Sequence, residues 1–389
     1  MLYKKSRPRK CAAFLFYRAL VTIGDFLASL DAYDERFRTS TIPPMFRRSH
    51  VLRAALAAAL LWVGSSGAAQ PSAAAYPNTE GFGIAFDKAE DWYRHCMRVE
   101  RLAYPPARAD GERCDAVDLY YVKREQASTS AAEWRQVHAC ARAAGDDAVL
   151  MMLHANGYGV PRDTDRALHH ACKLDSAKAE MEGRVTHLAS GAAAPDGQPF
   201  DLCDHVTSGR MGSVCAGLKE TRTARARNTR LDRLATTLPA AAQAPFVQLR
   251  KAADAFASQS QSEVDMQGTG AAGFAVAHAA SRRNEFLDTV LAATRGKLAP
   301  VSASEFARLD ARLNAAYRKL LAAPRGQENW KARIGQSTVT RADLRATERA
   351  WLAYRDAWIP FLRAARLPAD PVAVKAALTR QRLAQLERI

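Results

Sequence analysis

From residue 302 onward, hydrophobic and polar positions alternate with a helical period. Ser302-x-x-Glu305 is a capping box that opens a helix with Leu309, Leu313, Tyr317 and Leu320 on one face. Thr340-x-x-Asp343 starts a second helix, along which Leu344, Trp351, Tyr354, Trp358 and Phe361 keep helical spacing. Pro360 is expected to kink or loosen it, because proline lacks a backbone donor and crowds the Asp356 carbonyl. A last helix is predicted over about residues 371–386. Further upstream the periodic segments are shorter. A helix from Trp134 ends at Gly145, another spans Ala148 to Leu153 before the turn 156–160, and a third opens at Asp163 and runs from Thr164 to Leu174. The pattern predicts an all-α chain, with short stacked helix pairs first and an antiparallel helical bundle after them.

The bundle carries an internal duplication. Residues 248–256 align with 343–351, and 279–287 with 376–384, at offsets of 95 and 97 residues. Within the first part, residues 154–167 place Gly157, Gly159, Asp163 and Ala167 at the spacing of a tight helix-helix turn. The glycines allow the reversal, the aspartate caps the next helix and the alanine admits close packing. This stretch resembles one Sel-one-like repeat, a short relative of the tetratricopeptide repeat, over about residues 146–174, with His154 where that family usually has tyrosine. The resemblance implies a helical array that binds proteins or peptides.

The cysteines divide the chain. Cys11 stands apart, whereas Cys96, Cys114, Cys140, Cys172, Cys203 and Cys215 all fall within residues 96–215. Near the start, Arg47, Arg48 and Arg53 precede an apolar run from Ala54 to Val63 and small residues ending at Ala69, which reads as a secretory signal peptide over 45–69. An even set of cysteines in an exported chain implies up to three disulfides, with fifteen possible connectivities. The organisation read from these features is a leader at 1–44 and the signal peptide at 45–69. A Sel-like cysteine region follows at 78–217, then two helical units at 218–298 and 300–389, with a boundary near 216–230. The chain has 389 residues, 48% of them hydrophobic and 25% charged, which is an ordinary globular composition. Its net charge of +16 falls to +9 once residues 1–69 are removed, and favours anionic partners or surfaces.

Residues 305–389 resemble the lysozyme inhibitor LprI-like N-terminal domain family. The pattern is L-N-x-x-Y, then R-A-W-x-x-(Y/F)-R-D, then a closing T-x-x-R. Here it meets Leu313, Asn314 and Tyr317, then Arg349, Trp351, Tyr354, Arg355 and Asp356, and finally Thr379, Arg380 and Arg382. A degenerate copy covers about 230–298. Family members often carry cysteines before the first block and after R-D; this region has none, and Ile359 stands in the second place. The helical spacing makes Trp351, Tyr354 and Trp358 core residues. Arg355 and Asp356 are neighbours on the helix and are expected to find their partners elsewhere.

No H-E-x-x-H, G-x-S-x-G or paired-carboxylate arrangement is present, so no catalytic residue is assigned and no cofactor is expected. His138 beside Cys140, and His169 and His170 beside Cys172, could suggest zinc. The paired C-x2-C spacings of tetrahedral sites are missing, and disulfides claim the thiols, so no metal is expected. Gly268-x-Gly270-x-x-Gly273 follows no β-run; it reads as a loop after a polar helix over 255–266, not as a nucleotide site. Lys219, Arg222, Arg225, Arg227, Arg230 and Arg233 lack interleaved aromatics and read as a solvated helix face; nucleic acid is not an expected partner. The sequence therefore predicts a periplasmic or secreted, non-catalytic binding protein with a protein partner in the cell envelope and no membrane anchor after signal cleavage. Anionic envelope polymers are a second class of partner. Direct inhibition of a lysozyme is the alternative that the resemblance implies, against which stands the repulsion between a basic chain and basic lysozymes. An enzyme with a site assembled from distant residues is the third reading.

Overall fold

The computed structural model describes residues 75–79, 86–102, 114–191, 198–322 and 333–389, all within one compact unit, Pro71–Ile389. The leader, the signal segment and Cys11 lie outside the described residues. Those residues form twelve α-helices, one 3-10 turn and no strand. The helices are α1 (Asp91–Val99), α2 (Ala116–Arg124), α3 (Ala131–Ala144), α4 (Asp147–Asn156), α5 (Thr164–Lys173) and α6 (Lys178–Ser190). They continue as α7 (Gly209–Thr237), α8 (Ala240–Gln259), α9 (Ala271–Thr294), α10 (Ala303–Ala322), α11 (Arg341–Ala365) and α12 (Pro371–Leu386). None of them is long and apolar enough to cross a membrane.

Local sequence sets the helix ends. Ser130 and Glu133 close a capping box on α3, Thr340 and Asp343 one on α11, and Asp163 caps α5 by accepting from the Arg166 N–H at 3.0 Å. Ser302 accepts from the Glu305 N–H at 3.2 Å while Glu305 accepts from the Ser302 N–H at 2.8 Å. Gly159 is required in the turn after α4. Its φ is +69°, and a Cβ there would stand 2.6 Å from the Trp134 carbonyl carbon. That close approach lets Tyr158 stack on Trp134 at 4.5 Å. Pro360 does not end α11, which continues to Ala365.

Two hydrophobic cores result. The first gathers Trp92, Tyr120, Tyr121, Val149, Met151, Leu153, Leu168, Ala167, Met181 and Val185 from α1 to α6. Three disulfides reinforce it and define the connectivity: Cys96–Cys172, Cys114–Cys140 and Cys203–Cys215. The second gathers Leu231, Phe246, Leu249, Phe256, Phe286, Leu344, Trp358, Phe361 and Leu378 from α7 to α12. Here the aromatics of α11 interleave with those of α8 and α9. Tyr354 stacks on Phe256 at 5.7 Å, and Phe286 meets Tyr354 and Trp358 edge-on at 6.0 and 6.3 Å.

α7 belongs to both cores. Met211 and Leu218 pack on the first, and Leu231 and Leu234 on the second. The boundary expected at 216–230 thus falls inside one continuous helix. The basic stripe on α7 differs from its expected solvated face. Arg227 is buried against Glu220 and Asn284, and Arg222 and Arg225 share the Glu125 carboxylate at 2.5 and 2.9 Å. Lys219, Arg230 and Arg233 are exposed. The helix expected over 255–266 ends as α8 at Gln259, with a 3-10 turn at Ser260–Glu263, and Gly273 lies inside α9, where its N–H donates to Ser213 Oγ at 3.0 Å.

Candidate functional site

Two of the three sequence blocks in the C-terminal part converge on one cleft. α10 supplies Asp310, Leu313, Asn314 and Tyr317, and α11 supplies Arg345, Glu348, Arg349, Trp351, Leu352 and Arg355. The cleft encloses about 460 Å³. Its floor is apolar, since Leu313 and Trp351 are buried, and its walls are polar. The Asn314 side chain donates to the Asp310 carbonyl and carboxylate at 2.9 and 3.0 Å. Tyr317 is half-buried; burial raises its hydroxyl pKa, with Glu348 adding to the rise and Arg345 and Arg349 opposing it. The guanidinium of Arg355 lies 5.1 Å above the Trp351 ring, and its Nε and Nη2 are each 3.3 Å from Asp356 Oδ1. The neighbours Arg355 and Asp356 therefore do pair, because the long arginine side chain folds back along the helix surface. The exposed Asp356 keeps that pair weak.

Of the remaining block residues, Tyr354 and Thr379 serve the core. Tyr354 points away from the cleft into the aromatic stack, Thr379 is buried and donates to the Lys375 carbonyl at 2.8 Å, and Arg380 is exposed. The buried arginine of the closing T-x-x-R spacing is Arg382. Its guanidinium grips Glu263 at 2.7 and 2.8 Å, and its Nε donates to Glu348 at 2.9 Å. Neither Arg382 nor Glu263 has any exposed side-chain surface. Burial raises the Glu348 carboxyl pKa in spite of Arg382. Arg345 and Glu348 are the cleft residues that motif reading passed over. The signal for both was their phase, since positions 345 and 348 share a face of α11 with the motif positions 349 and 355.

Beside this network, His278 on α9 has a buried Nε2 with no hydrogen-bond partner. Burial first, then the positive charges of Arg282, Arg382 and Arg388, bring its pKa down to about 4. An unfolded imidazole titrates near 6.5, so between pH 6.5 and 4 the unfolded chain takes up a proton that the folded chain refuses. Stability is expected to fall as pH drops through that window, by up to roughly 2 kcal/mol from this residue. Urea midpoints measured at pH 7, 5.5 and 4 check this: His278→Gln should show a shallower decline than the parent, and an equal slope would refute the assignment.

A larger groove of about 1290 Å³ lies among α2, α7 and the start of α9, lined by Tyr121, Val206, Leu218, Phe274 and the Cys203–Cys215 disulfide. Its basic rim residues Arg222 and Arg225 are those bound to Glu125. The Sel-like turn lies elsewhere: Gly157 ends α4 with φ +72°, and Ala167 is fully buried. The histidines near the cysteines are structural in geometry. His169 Nδ1 lies 2.9 Å from the Val99 carbonyl and His170 Nδ1 2.6 Å from Asp147. All six cysteines of the region are oxidised, which removes the thiolates that a zinc site there would need. Among the described residues, no group of three or more His, Cys, Asp or Glu side chains is arranged to hold a metal ion.

The fold defines a nearly all-helical, disulfide-bonded protein whose C-terminal motif blocks build a surface cleft. Residues 290–386, the C-terminal quarter, match the family model described as lysozyme inhibitor LprI. No curated protein and no solved structure matches the chain.

Proposed function

We propose that this is an exported cell-envelope binding protein, without catalytic activity, whose C-terminal helices hold a protein partner. The observation that carries this reading is the convergence of the first two motif blocks on an open cleft. That cleft offers guanidinium, amide and phenol groups but pairs no nucleophile with a base. Three disulfides and the signal segment at 45–69 support a periplasmic or secreted location. The organisation that fits the sequence is a Sel-like region at 78–217 followed by two related helical units at 218–298 and 300–389. In line with this, α7 packs on α9 as α10 packs on α12, and α8 lies against α11 between them.

Lysozyme is the partner that the matched family's description favours. The repulsion expected between two basic proteins is offset where a local acidic patch meets the basic one, and lysozyme's substrate cleft holds two carboxylates to which an arginine-lined surface is complementary. The test is biolayer binding of the oxidised protein to a lysozyme panel and to peptidoglycan fragments, with turbidity assays of lysis alongside. Binding with loss of lysis supports the inhibitor. Binding to peptidoglycan alone replaces the protein partner with an envelope polymer, and binding to neither rejects both.

A further inference from the structure

The α10–α11 cleft holds unequal charges. Arg345, Arg349 and Arg355 face it against Asp310 and Glu348. Both carboxylates are engaged from within, Glu348 by Arg382 at 2.9 Å and Asp310 by Asn314 at 3.0 Å. Among the described residues Arg345 and Arg349 enter no ion pair, and both are exposed. Arg355 is pre-positioned over Trp351, and the Tyr317 hydroxyl adds a donor that burial keeps protonated. Each guanidinium offers a planar fork that matches a carboxylate.

We propose that this cleft is a carboxylate site, in which Arg345, Arg349 and Arg355 clasp one Asp or Glu side chain of a partner protein while Tyr317 donates to it. The site rests on the protein-binding reading above and gives it a chemistry. A single carboxylate suits the cleft better than a continuous polyanion, because Asp310 lines it and Asp356 is paired with its Arg355, and both would repel a charged polymer laid across it. The apolar floor of Leu313 and Trp351, with Leu352 partly exposed beside it, excludes water from one side and strengthens the charge-assisted bonds. The site needs no metal and no covalent step.

The arginine Nε–Hε resonances of the oxidised, ¹⁵N-arginine-labelled protein, titrated with glutarate at low salt, test the site. Saturable shifts of at least two resonances are expected. They should vanish in Arg345→Ala/Arg349→Ala and persist in Arg380→Ala, whose side chain lies outside the cleft. Arg345→Lys/Arg349→Lys keeps the charge and loses the forks, and should weaken glutarate roughly fivefold. Absent or non-saturating shifts, shifts that survive in the double alanine variant, or inorganic phosphate acting on the same resonances at tenfold lower concentration would each overturn the proposal. A glutarate response without lysozyme binding keeps the site and removes lysozyme as its partner. Lysozyme binding without a glutarate response does the reverse.

Discussion

Replacing Arg382 with leucine is expected to lower stability by about 3–5 kcal/mol, a large share of what a domain usually has. The reason is not the loss of an attraction alone. Arg382 has no exposed side-chain surface and holds Glu263, equally buried, through two hydrogen bonds and Glu348 through a third. Without the cation, two carboxylates face each other in the core, and each must stay charged at high cost or take up a proton. Two results check this. The urea midpoint of Arg382→Leu should fall far below that of Arg380→Ala, which alters an exposed neighbour by no more than about 0.5 kcal/mol. In addition, the leucine variant should regain stability as pH falls toward 5. Burial already raises the Glu348 carboxyl, and without Arg382 the main opposing charge is gone, so protonation favours the fold. Arg382→Leu/Glu263→Leu/Glu348→Leu, which removes all three charges, should recover most of the loss. A single-variant effect below about 1 kcal/mol would show that the triad does not hold α11 and α12 together.

The second large effect concerns the first core. Cys96–Cys172 closes a 76-residue interval and ties α1 to α5, with both residues fully buried. Loop-closure entropy assigns such a crosslink about 4 kcal/mol, against about 3 kcal/mol for Cys203–Cys215, which spans 12 residues. Cys96→Ala/Cys172→Ala should therefore destabilise more than Cys203→Ala/Cys215→Ala in guanidinium melts. The reverse order would mean that native packing around α7, and not restriction of the unfolded chain, sets the value of these bonds.

Much of this architecture was legible in the sequence, and the parts that were not share a cause. Ser302, Thr340, Asp163 and Gly145 announce helix ends because capping is settled within four residues. Trp351, Tyr354 and Trp358 announce a buried face because their spacing is helical. The closing T-x-x-R names Arg382 but not its burial, since its partner Glu263 lies 119 residues away and an arginine is read as surface by default. The α7 stripe misled for the same reason: Glu125 and Asp118, about a hundred residues upstream, neutralise Arg222 and Arg225. Within the cleft, Leu313, Asn314, Tyr317, Arg349, Trp351 and Arg355 came from the motif. Arg345 and Glu348 needed the fold to show that they reach the same space.

The aromatic interleaving of the second core also bears on how this protein can be handled. Residues 290–386 carry the family match, yet Phe246, Phe256 and Phe286, against which Phe361, Tyr354 and Trp358 pack, lie before them. A recombinant fragment cut to the matched span would display that stripe of rings to water. It would self-associate instead of folding, so inhibition assays on the excised segment would report on an aggregate.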